Sequence, residues 1–184
     1  MASNSPRRRE LLVGLGLSYE VRVIDGIDES YPSNLPVTEI PLFISQKKAN
    51  AYSLADSELL ITADTIVCLG NHVLGKPKDK AEACQMLAML SGHTHHVITG
   101  VTIKTTEWVH SFSCTSDVTF AQLTEEEINH YVNNYHPFDK AGAYGIQEWI
   151  GYIGVTRLEG SYFNVMGLPV QRLYSELKKL NVKI

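Results

Sequence analysis

The chain has 184 residues, 44% hydrophobic and 20% charged, enough for one domain with a full core and too rich in apolar side chains for a disordered or collagen-like polymer. A formal net charge of −4 excludes a grip on nucleic acid through overall charge, so any anion site must be a local cluster. No apolar stretch approaches the roughly 20 residues that span a bilayer, and Met1 to Pro6 runs into three arginines without the apolar stretch of a signal peptide, so a cytoplasmic location with no membrane attachment is expected.

In chain order, Ser5 is a good N-cap and Pro6 a good first helical residue, with Leu11, Leu12 and Leu15 as the apolar face and Gly16 as the stop. Tyr19 to Ile24 reads as a strand. Thr38 caps a second helix whose stripe is Ile40, Phe43, Ile44 and Ala51. Leu59 to Leu69 is a strongly apolar strand closed by a Gly70-Asn71 hairpin turn. Asp79 starts a helix with Met86, Leu87 and Leu90 inward and Gly92 as its end. His96 to Lys104, Trp108 to Cys114 and Asp117 to Ala121 read as strands. Thr124 and Glu127 form a capping box for a helix to about Asn134. A Gly/Ala-rich segment runs from Pro137 to Gln147. Trp149 to Leu158 and Ser161 to Val165 read as paired strands turning at Glu159-Gly160. Pro169 opens a last helix with Val170, Leu173, Tyr174, Leu177 and Leu180 on one face. Helix and strand periods alternate, which predicts an α/β class. Cys68, Cys84 and Cys114 form no C-x-x-C pair and read as reduced thiols.

Several segments carry chemistry. Ser3-x-Ser5-Pro6-Arg7-Arg8-Arg9 puts three cations and two hydroxyls at a helix N-terminus. Free N–H groups and guanidinium forks there make an anion pocket, although a solvated basic turn accounts for the charges equally well. Thr62-Ala63-Asp64-Thr65 interrupts an apolar strand with a carboxylate, which is costly to bury unless paired or bound to metal. Gly70-x4-Gly75-Lys76 resembles a phosphate-binding loop, but Pro77 replaces the hydroxyl residue that would hold magnesium; Lys76 remains a candidate phosphate contact or an ordinary surface lysine. In Asp139-Lys140-Ala141-Gly142-Ala143-Tyr144-Gly145-Ile146-Gln147, small residues allow close backbone approach while Lys140 and Gln147 offer polar contacts. His93, His95 and His96 lack the spacing of a metal site and read as exposed histidines at a strand entrance.

Together, Ala2-Ser3-Asn4-Ser5-Pro6-Arg7-Arg8, Ala63-Asp64-Thr65-Ile66-Val67, Gly75-Lys76-Pro77, Leu90-Ser91-Gly92-x-x-His95, the 139–147 segment and Gly167-Leu168-Pro169 resemble the Maf family of nucleoside triphosphate pyrophosphatases, also known as septum-formation inhibitors. The matches run in the family's order along the whole chain. The resemblance implies a single domain over residues 1–184, an elongated mixed β-sheet flanked by helices, and two lobes with a central cleft. It also implies hydrolysis of a nucleoside triphosphate to the monophosphate and diphosphate with a divalent cation, Mg2+ or Mn2+. On that analogy Asp64 is the catalytic carboxylate and, with Glu29, a metal ligand. Ser3, Ser5, Arg7, Arg8, Lys48, Lys76 and Lys140 line the phosphate path. Arg7, Thr65 and Gln147 match the branch acting on dTTP and UTP. The family also suggests a homodimer. Family members usually carry several apolar residues before the Ala-Ser pair, whereas here only Met1 precedes Ala2, so an abbreviated first strand or a late start codon is expected.

From the chemistry alone, a triphosphate needs cations spread along its length and a polarised water, and the separated basic segments with Asp64 supply both. Two other classes compete. A nucleotide-sensing regulator of cell division would bind without turnover, yet a pure anion binder gains nothing from a carboxylate beside phosphates. A single-stranded nucleic-acid binder would interleave aromatics with Arg7 to Arg9, and none are there.

Overall fold

A computed structural model describes residues 1–180. Five strands form one sheet in the order β2-β1-β3-β4-β5: β1 (Leu60–Leu69), β2 (His72–Leu74), β3 (Thr94–Lys104), β4 (Val109–Phe120) and β5 (Val155–Glu159). The pairs β1/β2 and β4/β5 are antiparallel. Helices flank it: α1 (Pro6–Gly14), α2 (Ile40–Asn50), α3 (Lys80–Leu90), α4 (Glu125–Tyr135), α5 (Trp149–Gly154), α6 (Tyr162–Val165) and α7 (Val170–Lys179). The chain is α/β, as its alternating periods predict. It divides into two compact units, one of Met1–Asp64, Thr99–Cys114 and the residues from Gly167 onward, the other of Thr65–Ile98 and Thr115–Met166.

In the first unit, Ser5 caps α1 by accepting from the Arg8 N–H at 3.4 Å. The α1 face is Leu11 and Leu12. The entry to α2 differs from expectation. Thr38 lies within a 3₁₀ turn (Val37–Glu39), and Pro41 in the first turn of α2 serves as the start signal instead of a side-chain cap. Ala51, expected on the buried stripe, is the exposed C-cap, and Pro41, Ser45 and Ala49 are buried in its place. A Cβ on Gly100 of β3 would stand 2.3 Å from the Pro41 carbonyl carbon, so only glycine lets α2 lie this close to the strand.

Tyr19 to Ile24 is not a strand. Its backbone bonds to Met1, through the Met1 ammonium to the Glu20 carbonyl at 2.8 Å and the Arg22 N–H to the Met1 carbonyl at 3.2 Å, and to the Tyr52 side chain, whose hydroxyl accepts from the Ile24 N–H at 2.9 Å and donates to the Arg22 carbonyl at 3.1 Å. Ala2 N–H in turn donates to the Ile61 carbonyl of β1 at 3.0 Å. These separate bonds do not form a ladder, so the segment stays irregular.

The second unit holds a continuous core that includes Val67, Leu74, Leu87, Leu90, Val118, Phe120, Tyr131 and Ile150. Asp79 caps α3, and the Thr124/Glu127 capping box of α4 is complete. Two strand assignments are corrected. The two strands read over Trp108 to Ala121 are one, because β4 continues through Thr115 and Ser116. Trp149 to Gly154 is a helix, with β5 following and α6 where a paired strand was expected. Within this helix the Gly151 backbone passes so close to the Ile146 carbonyl that a Cβ would lie 1.8 Å from its oxygen; apolar content alone does not distinguish such a short helix from a strand. Cys68, Cys84 and Cys114 are free thiols, and burial raises the pKa of each.

Candidate active site

Alternation along β1 sends Thr62 and Asp64 to one face, and α2 lies on that face. Thr62 donates its hydroxyl to the Ser45 carbonyl at 2.7 Å. One helical turn on, Lys48 reaches Asp64 with Nζ 2.7 Å from Oδ1. The carboxylate inside an apolar strand is therefore paired, as its burial requires, while the Thr62 hydroxyl is committed to α2. Lys48 also lies 3.0 Å from Glu29 Oε1. Two carboxylates from separate segments thus meet one ammonium whose side chain is only 16% exposed.

Arg8 ties three of the singled-out segments together. Its Nη1 donates to the Ala63 carbonyl at 2.9 Å and its Nε to the Gly167 carbonyl at 2.8 Å. Burial lowers its pKa, and the Asp64 charge opposes that shift. Ser3 is buried and accepts from the Ser5 N–H at 3.2 Å, while the Ser5 hydroxyl caps α1. Both hydroxyls therefore shape the arginine turn. Arg7 is half-buried and close enough to Arg8 to lower its pKa further. Asp28, the neighbour of Glu29, pairs instead with Lys47 at 2.7 Å, and the bonds from Lys47 and Ser30 hold its carboxyl well below the usual range.

These residues fit a divalent cation. Magnesium is usually held by one or two carboxylates, with water and substrate phosphates completing its shell. Glu29 and Asp64 already converge on one positive charge. Among the described residues no group of three or more His, Cys, Asp or Glu gathers, here or elsewhere, so an ion at this pair would take its remaining ligands from water and phosphate oxygen.

The second unit carries Thr65, Lys76, Lys140 and Gln147. Gly142, at φ +67°, donates its N–H to the Gly75 carbonyl at 3.1 Å and packs on Val67, where a Cβ would approach to 2.9 Å. The segments around Thr65, Gly75-Lys76 and 139–147 are thus brought together. Lys76 is exposed. Lys140 is not: its ammonium lies 2.8 Å from Asp139 and 3.1 Å from Glu148. Glu148 also accepts from the Tyr131 hydroxyl, which itself accepts from the Gly145 N–H at 3.0 Å. Burial and this carboxylate raise the pKa of Tyr131. Gln147 ends the braced segment with its amide oxygen buried and without a hydrogen-bond partner.

His95 is fully buried, against the expectation of an exposed strand entrance. Its Nε2 lies 2.8 Å from the Tyr144 hydroxyl, and its ring packs edge-on against Phe120 and Tyr144. Burial pushes its pKa down to about 4, with His96 adding to the shift and Asp117 opposing it. The sequence showed that His95 and His96 face opposite ways; it did not show which face was the core. The Tyr131–Glu148–Lys140 brace also escaped the sequence reading, because its members are spaced irregularly and lie on different elements.

The Maf-like protein family model matches residues 1–180. A protein of Bacteroides thetaiotaomicron called dTTP/UTP pyrophosphatase is 59% identical over 182 residues, covering 98% of this chain and 94% of that protein. One of the same name from Phocaeicola vulgatus is 60% identical with the same coverage. Another from Flavobacterium johnsoniae is 47% identical over 98% of this chain and 93% of its own length. With a carboxylate seated on β1, an arginine turn pinned to it and a family match along all the described residues, the chain belongs to the Maf-like protein family.

Proposed function

We propose that this protein hydrolyses dTTP and UTP to the nucleoside monophosphate and diphosphate. The observation that carries the reading is Asp64, a largely buried carboxylate held by Lys48 beside Glu29, with Arg8 fastened to the residue before it. Water attacks the α-phosphorus. A new P–O bond forms, the bond to the bridging oxygen of the β-phosphate breaks, and Asp64 takes the water proton. Arg7, Arg8 and Lys48 offset the phosphate charge that grows on the leaving diphosphate. Ser3 and Ser5 hold the arginine turn in shape. A bound Mg2+ or Mn2+ supplies Lewis-acid polarisation of the phosphoryl group. Free nucleotides are the substrate, which supports the cytoplasmic location expected from the sequence, and no helix among the described residues is long and apolar enough to cross a membrane.

Base choice rests on Gln147. Rotation of its amide, whose oxygen is buried and unpartnered at rest, would present an acceptor to the N3–H of thymine or uracil and an N–H donor to the neighbouring carbonyl of the same base. The names of the relatives support the pyrimidine reading, and Arg7 and Thr65 are its companion positions.

The test is pyrophosphate release across a panel of nucleoside triphosphates. Wild type turns over UTP and dTTP, and excess chelator abolishes the activity. Asp64→Asn keeps the shape and removes the charge, and kcat falls by about 10² or more. Near-wild-type turnover in folded Asp64→Asn removes Asp64 from the mechanism. Binding of UTP without any pyrophosphate release would favour a nucleotide-sensing regulator instead.

A further inference from the structure

Lys48 stands where a metal ion would be expected to stand. Its Nζ is 2.7 Å from Asp64 Oδ1 and 3.0 Å from Glu29 Oε1, and the three side chains are 16%, 13% and 55% exposed for lysine, aspartate and glutamate. An ammonium is a monovalent cation on a flexible four-carbon stem. The ammonium shares the neutralisation of the two carboxylates with the Arg8 guanidinium, on whose pKa both of them act, whereas a divalent ion in its place would neutralise both directly. The neighbouring pair does not share this arrangement, since Lys47 faces Asp28 alone among the carboxylates.

We propose that Lys48 is a built-in counter-cation that occupies the metal seat in the nucleotide-free enzyme and is displaced when the divalent ion arrives. The inference rests on the metal-assisted reading above. Its consequence is an ordering of events. Without nucleotide the ion must expel an ammonium from between two carboxylates and leave that charge near itself, so the ion binds weakly. With a triphosphate present, the displaced ammonium gains a new anionic partner in the phosphate chain, so metal and nucleotide favour each other's binding. Lys48 thereby pairs with Asp64 at rest and prevents a strongly held ion from filling the seat without substrate.

The experiment measures Mn2+ binding to the full chain without nucleotide, by the loss of the free-ion paramagnetic signal. Lys48→Met preserves length and removes the charge. It is expected to bind Mn2+ at least about tenfold more tightly than wild type, within the usual range of site-to-site coupling. Lys48→Arg keeps the charge and stays near wild type, and Lys47→Met changes affinity by less than about twofold, because its partner is Asp28. Equal or weaker Mn2+ binding by folded Lys48→Met overturns the proposal. A second measurement uses wild type alone. Saturating Mg2+ should speed modification of Lys48 by an amine-directed reagent, read by peptide mass spectrometry, as the ion releases the ammonium. An unchanged or slower rate overturns the proposal even if Lys48→Met does not fold. Neither readout involves turnover, so a failure of pyrophosphate release with these results intact would sink the proposed activity and leave the displacement standing.

Discussion

Gln147 is half-exposed, yet its amide oxygen is buried and meets no donor. A buried acceptor left unpaired costs about 1–3 kcal/mol, and rotation of the amide onto a matching base recovers that energy. The rejected base leaves it unpaired, so selectivity of about 1–3 kcal/mol is expected from this residue. Gln147→Leu should lower the ratio of kcat/KM for UTP to that for GTP by about 10-fold or more while residual hydrolysis persists; an unchanged ratio moves base selection elsewhere. Arg8 behaves differently from an exposed phosphate ligand. Its guanidinium holds two carbonyls, those of Ala63 and Gly167, and hydrogen bonds from a charged donor are worth about 1.5–3 kcal/mol each. Arg8→Ala should therefore lower stability by about 3–6 kcal/mol in urea titration as well as slow turnover. A variant with wild-type stability would show that Arg8 serves the substrate alone.

The segment from Asp139 to Gln147 is short of regular structure, with one 3₁₀ turn (Ala141–Ala143). It is held by what surrounds it. Gly142 seats it on β1, Tyr144 hangs from His95 on β3, and Tyr131 of α4 with Glu148 clamps Gly145 and Lys140. Gly142→Ala meets both a left-handed backbone and the Val67 side chain, and about 2–4 kcal/mol of lost stability is expected. Gly70→Ala is the control. Its φ of +57° carries the same backbone strain, but a Cβ there meets nothing within 4 Å, so about 1–2 kcal/mol is expected. Equal losses at the two positions would show that the Val67 contact is unimportant. Lys140→Met should speed hydrogen exchange of the Gly145 amide, because Glu148 loses a countercharge and the clamp loosens.

Global stability should depend on pH in a window set by His95. Burial lowers its folded pKa to about 4, below the ordinary value near 6.5. The unfolded chain therefore binds the proton more readily. The stabilisation from keeping His95 neutral is complete above pH 6.5 and is lost as pH falls from 6.5 towards 4, by up to about 3 kcal/mol. Melting temperatures of wild type and His95→Asn over pH 4–8 check this. The variant is less stable throughout, since Tyr144 loses a partner, but its slope between pH 6.5 and 4 is flatter. Equal slopes would show that other groups set the dependence. Glu176 acts lower on the scale. Buried in α7 and bonded first to Lys179 and then Arg172, its carboxyl pKa is lowered, so its contribution persists above the ordinary carboxylate range and fails only in more acid solution.

Local chemistry made much of this protein legible before any coordinates. Ser5-Pro6, Asp79 and the Thr124/Glu127 box start helices through bonds to their own first turns, and Gly70-Asn71 closes a hairpin through its backbone alone. Such signals depend on neighbours in sequence. The carboxylate in an apolar strand announced Asp64 for a similar reason: an unpaired charge there is too costly, so a partner had to exist. Which partner it would be, and where His95, Glu148 and Glu176 would lie, was decided only by tertiary packing. Lys48 meets Asp64 because α2 crosses the face of β1, and that crossing depends on the bare backbone of Gly100. The helix at Trp149 and the irregular path of Tyr19 to Ile24 were misread because apolar content does not reveal whether a backbone has ladder partners. Burial of a histidine and pairing of a lysine between two acids are properties of a three-dimensional neighbourhood, and no spacing along the chain encodes them.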